Sequence, residues 1–127
     1  MKIHQIWFDI GHGAEPPHHE RRRSFRQCNP SAEYTLWSDV DARRLMRSTC
    51  PHLLRLYEQL PHDINRCDLF RYVLMYYEGG FYFDVDFRCL RCLRVLEGAD
   101  AIVCDEWPNS SASETVHNGA LYSPRFH

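Results

Sequence analysis

Lysine is almost missing from this chain: of fifteen basic residues only Lys2 is a lysine, and the rest are arginine. The formal charge is −2, so no surplus of positive charge draws it to nucleic acid, which is excluded as an expected partner. No apolar run approaches the roughly 18 residues that a membrane span requires, so no transmembrane segment is expected. The opening MKIHQIWF has neither an extended apolar stretch nor a small-residue cleavage site, so no signal peptide is expected either. Internal repeats and low-complexity tracts are absent. There are six cysteines, but Cys89-x-x-Cys92 is a lone pair with no second pair at zinc-site spacing. Reduced thiols are expected, with Cys67 and Cys104 serving as small core residues. The eight histidines include no i, i+4 metal pair.

What remains is a chain of 127 residues with 44% hydrophobic and 13% aromatic composition, enough for one domain spanning 1–127 with a single core. The run Ile3–Phe8 has the apolar continuity of a strand buried on both faces. The stretch 11–17 is a loop by its glycines and prolines, and a charged helix follows from Pro17 to about Gln27. Its Arg21, Arg22, Arg23 and Arg26 form the one basic run, read as a solvated face or a grip for phosphate or anionic lipid. Glu33–Ser38 is a second strand. Ser38 and Asp39 cap a helix over Val40–Ser48, and Pro51 separates it from another over His52–Leu60. The most strongly patterned helix, from Ile64 to about Glu78, stops at Gly79-Gly80. Strands at Phe81–Phe83 and Asp100–Asp105 complete an α/β order with a largely parallel sheet. Ligands of such sheets sit beyond the carboxyl ends of the strands, where Trp7, Trp37, Asp84-x-Asp86 and Asp105-Glu106 fall, Trp37 being read as core by preference.

Within the long helix, Ile64, Asp68, Arg71 and Met75 share one stripe, and Asp68 is close enough to touch Arg71, either as a plain intrahelical ion pair or as a polar stripe bordering a cleft. Apolar and aromatic residues occupy most other positions, so the helix is expected to be buried on most of its circumference. In the strand that follows, a period of two sends Phe81, Phe83 and Val85 one way and Tyr82, Asp84 and Asp86 the other. Either the strand surfaces here into a solvated turn, or a cation sits near two carboxylates that would otherwise repel; hard oxygen ligands suit Mg²⁺ or Mn²⁺ carrying a phosphorylated substrate. Only Gly79-Gly80 joins helix to strand, so the two polar sets are expected to meet in space, with glycine letting a ligand approach the backbone.

The segment INRCDLFRYVLMYYEGGFYFDVD (Ile64–Asp86) resembles the signature of the DXD-containing sugar transferases of glycosyltransferase family 32. KIHQIWF (Lys2–Phe8) is similar to that family's opening strand, EYTLWSD (Glu33–Asp39) to its second, and HNGALYSPRFH (His117–His127) to a later stretch. The resemblance implies a GT-A-like, Rossmann-like three-layer fold, a nucleotide-sugar donor (UDP- or GDP-sugar), a glycan or other hydroxyl acceptor, and Mn²⁺ or Mg²⁺. Carried over position by position, it implies that Trp7 stacks on the base and that Asp68 and Arg71 hold the donor sugar and phosphates. Tyr82 then contacts the donor, Asp84 the ribose or sugar, Asp86 the metal, and Asn118 the donor sugar. Asp84, Asp86 and Arg71 form the catalytic set of a retaining glycosyltransferase. Members of the family typically continue past the stretch matching His117–His127 with a segment that closes over the donor, and this chain is expected to lack it. A binding module without turnover is therefore one alternative, and a metal-dependent phosphohydrolase using Asp84 and Asp86 is another. Without an amino-terminal anchor, the expected compartment is the cytoplasm.

Overall fold

The computed structural model describes residues 1–8, 15–105 and 116–127. Its elements in chain order are β1 (Lys2–Ile6), α1 (His19–Cys28), β2 (Glu33–Trp37), α2 (Asp39–Thr49), α3 (Pro51–Gln59), α4 (Asp63–Glu78), β3 (Gly80–Phe83), a 3₁₀ turn (Leu93–Leu96), β4 (Ile102–Asp105) and β5 (Val116–Ser123). The strands form one sheet in the order β2-β1-β3-β5-β4.

β1 pairs in parallel with β2 and β3, whereas β5 lies antiparallel between β3 and β4. The sheet is therefore mixed rather than largely parallel: four strands run one way and β5 alone runs back. The sequence reading had no strand at β5. The polar opening His117-Asn118-Gly119 hides the alternation that Ala120–Ser123 carries, and the reversal follows from that strand's insertion.

Helices cover both faces, giving three layers. On one face Ile6, Tyr82 and Leu121 pack with Ala42 and Met46 of α2, Tyr57 of α3, and Phe70, Val73 and Leu74 of α4. On the other, Ile3, Phe81, Tyr34 and Tyr122 pack with Phe25 of α1 and with Cys89 and Leu93. The pairings Ile3↔Tyr34, Ile3↔Phe81 and Phe81↔Tyr122 put these rings side by side on one surface of the pleat.

Local chemistry sets the element ends. Ser38 and Asp41 form a capping box at the start of α2, and Pro51 opens α3. α1 starts two residues later than its composition implies, because His18 takes a left-handed conformation (φ 58) ahead of it. Buried Asn29 closes α1 by donating to the Phe25 carbonyl, and its Oδ1 accepts from the Leu93 N–H. Gly79 (φ 64) and Gly80 (φ 99) turn the chain from α4 into β3. A Cβ on Gly79 would stand 2.6 Å from the Arg125 nitrogen, and one on Gly80 2.7 Å from the Lys2 carbonyl oxygen. The close approach these glycines permit is thus that of β1 and the C-terminal residues, not of a ligand.

α4 is buried on one side only: Phe70, Arg71, Val73, Leu74 and Met75 are covered, while Ile64, Tyr72 and Tyr76 are exposed. Aromatic rings made the sequence pattern read as apolar all round, yet Tyr76 and Tyr77 spend theirs on each other and on Phe126 near the surface. No described helix is long and apolar enough to cross a membrane.

Candidate active site

β1 and β3 are parallel neighbours, so their carboxyl ends open on the same edge of the sheet. A cleft of about 410 Å³ lies there, within the range typical of small-molecule sites. Trp7 and Phe8 line it from the end of β1, and Cys67 and Arg71 from α4. Tyr82, Asp84, Val85 and Asp86 line it from β3 and the turn after it. The acids and the arginine of the two sequence segments therefore share one hollow.

The alternation assumed for the acids stops early. β3 ends at Phe83, and Asp84 begins a turn closed by the Phe87 N–H donating to the Asp84 carbonyl at 3.1 Å. Val85, expected on the opposite face, consequently lines the cleft too. The turn is pinned from three sides. The Asp84 N–H donates to the Gly119 carbonyl at 2.7 Å, the amide of buried Gln5 donates to the Asp84 carbonyl at 2.9 Å, and Arg21 donates to the Asp86 carbonyl at 2.6 Å.

Arg71, only 3% exposed, is the hub of the site. Its Nη2 meets Asp68 Oδ1 at 2.8 Å and Asp84 Oδ1 at 3.5 Å. Its Nη1 donates to both the main-chain and side-chain oxygens of Asn118, each at 2.7 Å, and its Cζ lies 5.0 Å from the centre of the Tyr82 ring. A buried guanidinium is costly unless it is paired, and these partners meet both of its terminal nitrogens. The Tyr82 hydroxyl donates to Asp84 Oδ1 at 2.5 Å. Burial, and after it the negative charge of Asp84, raise the pKa of that phenol, so it stays protonated and stays a donor.

Two buried side-chain nitrogens among the described residues have no hydrogen-bond partner, Trp7 Nε1 and Arg71 Nε, and both belong to residues lining the cleft. Orphaned buried donors are rare because each costs about 1–3 kcal/mol. Trp37 is different. It packs against the α-helical core, and its indole N–H donates to His4 at 3.1 Å.

Asp68 and Asn118 belong to the site through Arg71, which they grip from either side. Asp105 ends β4 opposite Val116, and Glu106 lies outside the described residues, as does the side chain of Cys104. Cys67 packs against the core beneath the helices, as expected, and also walls the cleft, its thiol pKa pushed up to about 12 mainly by burial. The described cysteines (Cys28, Cys50, Cys67, Cys89 and Cys92) are free.

Sequence reasoning missed several contributors. Pro17 and His18 lead into α1 along the cleft wall, and Asp63 and Ile64 open α4 there. Gly119 is the closest missed neighbour of the acids. A Cβ there would lie 2.6 Å from Asp84 Oδ2 and 2.3 Å from His117 Cε1, so only glycine leaves room for both side chains. The two prolines ahead of His18, and a glycine directly after Asn118, were the available signals.

Residues 17–113 match the glycosyltransferase sugar-binding region containing the DXD motif, and the chain belongs to that family. Its curated relatives include "Inositol phosphoceramide mannosyltransferase 3" of Schizosaccharomyces pombe, 36% identical over 72 residues, which make up 57% of this chain and 20% of that protein. Another is "Mannosyl phosphorylinositol ceramide synthase SUR1" of Saccharomyces cerevisiae, 33% identical over 74 residues, covering 58% of this chain and 19% of that one. The chain thus spans about a fifth of the length of these relatives. Its fold is similar to that of the PaToxG glycosyltransferase, with a TM-score of 0.63 at 16% identity, over 98% of this chain and 54% of that one.

Proposed function

We propose that the cleft binds a nucleotide-sugar donor and that this chain carries the donor half of a metal-dependent, retaining hexosyl transfer of the mannosyl type. The observation that carries the reading is that the buried Arg71 guanidinium and the Asp84 and Asp86 carboxylates line one cleft at the carboxyl ends of β1 and β3. The matched relatives are named for mannosyl transfer to inositol phosphoceramide, which favours a mannosyl donor and a polyol hydroxyl as acceptor.

The residues fit a divalent cation. Asp84 Oδ1 is held by Tyr82 and Arg71, whereas the Asp86 carboxylate has no hydrogen-bond or ion-pair partner among the described residues. No group of three metal-ligating side chains occurs among the described residues. The protein would therefore supply one or two carboxylate oxygens and the donor's phosphates the remainder, the shell that Mg²⁺ and Mn²⁺ accept. Asp86 would hold the cation, which, when bound, neutralises the diphosphate.

The side chains account for the rest. Arg71 directs positive charge at the phosphates as the bond between anomeric carbon and phosphate oxygen breaks. Its fork is already fixed by Asp68 and Asn118, so little reorganisation is needed. Trp7 offers an indole face for the base and an unpartnered N–H. Asp84, oriented by Tyr82, accepts hydrogen bonds from ribose or sugar hydroxyls. The acceptor hydroxyl attacks on the face the diphosphate leaves, and its proton passes to the departing phosphate oxygen.

Hydrolysis of GDP- and UDP-sugars with Mn²⁺ tests the reading. Release of the nucleoside diphosphate supports transfer chemistry, and donor binding without release supports a binding module. Phosphate release from simple phosphoesters, without nucleotide-sugar binding, favours a phosphohydrolase.

A further inference from the structure

A second concavity of about 470 Å³ runs along α1, lined by His19, Arg22, Arg23, Arg26 and Gln27. We propose that this groove binds a phosphate group carried by the acceptor, next to the hydroxyl that receives the sugar. The inference rests on the transfer reading in taking the ligand as acceptor; the phosphate site itself stands on the geometry of α1.

The positive charge here is concentrated and uncompensated in a chain whose net charge is −2. None of the three groove arginines has a carboxylate partner among the described residues; Arg47, Arg55, Arg88, Arg91 and Arg125 lack one too, but along α1 three such arginines line one concavity. The sole acid of α1, Glu20, is exposed and stands 3.7 Å from His19. Two of the guanidiniums are positioned by neutral groups. Arg22 donates to the Pro17 carbonyl at 3.0 Å and the Pro16 carbonyl at 2.9 Å, and Arg26 lies 4.4 Å above the Tyr34 ring. Such contacts fix the fork without consuming its charge, which suits a phosphate oxyanion. Arg23 is exposed and has no side-chain hydrogen bond or ion pair among the described residues, leaving its donors for a ligand.

The groove adjoins the cleft. Pro17 and His18 line the cleft and His19 lines the groove, so the start of α1 is the wall between them. Arg21, in the same turn, donates to the carbonyl of Asp86. A polyol headgroup with a hydroxyl over the wall and a phosphate in the groove would bridge the two. The phosphate arrives on a lipid headgroup or on a soluble polyol phosphate; the chemistry recognised is the same.

The test is titration with inositol 1-phosphate at low ionic strength, with and without saturating nucleoside diphosphate and Mn²⁺. The expected result is saturable binding that the nucleotide does not displace and that Arg23→Glu weakens at least about tenfold, the scale of one lost charged hydrogen bond. Nucleotide binding by Arg23→Glu should be unchanged. Sedimentation with phosphatidylcholine vesicles, with and without phosphatidylinositol, assigns the source. Phosphatidylinositol-dependent pelleting lost in Arg23→Glu places the phosphate on a lipid, and binding of the soluble phosphate without pelleting places it on a free polyol. Absence of both kinds of binding, indifference to Arg23→Glu, or displacement by the nucleotide would overturn the proposal. Failure of the wild type to bind nucleotide sugar, with phosphate still held in the groove, would instead sink the transfer reading alone.

Discussion

Arg71 of α4 holds Asn118 of β5 by two hydrogen bonds from one nitrogen, to the main-chain and the side-chain oxygen, each at 2.7 Å. This contact joins the helix of the site to the reversed strand, and through the neighbouring Gly119 carbonyl it reaches the Asp84 N–H. Asn118→Ala removes one acceptor and leaves the other. Stability should fall by about 1–2 kcal/mol, and donor affinity should drop by about tenfold as the guanidinium loses its orientation. Chemical denaturation and donor titration measure the two effects separately.

Gly119 should behave differently. An added methyl meets the tips of two side chains, Asp84 Oδ2 and the His117 ring, which can swing aside. Gly119→Ala is therefore expected to change the melting temperature by no more than a few degrees while donor binding falls by about tenfold or more, because the carboxylate moves. A thermal melt alongside a donor titration checks both halves.

Gly80 carries a structural load. Its φ of 99 is foreign to L side chains, and its Cβ would meet the Lys2 carbonyl on β1. Gly80→Ala should cost at least about 2 kcal/mol, combining backbone strain with overpacking against rigid main chain. Urea denaturation of the variant gives the figure directly.

His4 makes stability depend on pH. It is buried, its Nδ1 accepts from the Trp37 indole, and its Nε2–H donates to the Gly79 carbonyl at 2.9 Å. Burial lowers its pKa below the ordinary 6.5. Below pH 6.5 the unfolded chain therefore takes up a proton that the folded chain refuses, and stability should decline as pH falls from 6.5 toward the folded pKa. Stability measured between pH 7.5 and 5.5 should show this slope, and His4→Gln should flatten it.

Much of the site was legible because it lies in two short segments joined by a tight turn. Helix periodicity brought Asp68 beside Arg71, and the double glycine required helix and strand to be adjacent. Residues recruited from afar were harder to read. Tertiary pairing inserted β5 between β3 and β4, and no local pattern announces which strand a chain will return to. The same pairing turned an expected largely parallel sheet into a mixed one. Val85 was misplaced for a related reason: alternation assumes that a strand continues, while β3 stops at Phe83. The resemblance to the DXD sugar transferases named Asn118, but nothing in its neighbourhood showed that its partner is Arg71.

The direct test of the central claim is the thermal shift given by GDP-mannose and by UDP-sugars, with and without Mn²⁺, on the wild type and on Asp86→Asn. A ligand that binds only the folded chain raises its melting temperature. A Mn²⁺-dependent shift is expected in the wild type, and Asp86→Asn should abolish it without altering the melting temperature of the free protein by more than a few degrees. An equal Mn²⁺-dependent shift in the variant, or no shift with any nucleotide sugar in the wild type, would contradict that claim.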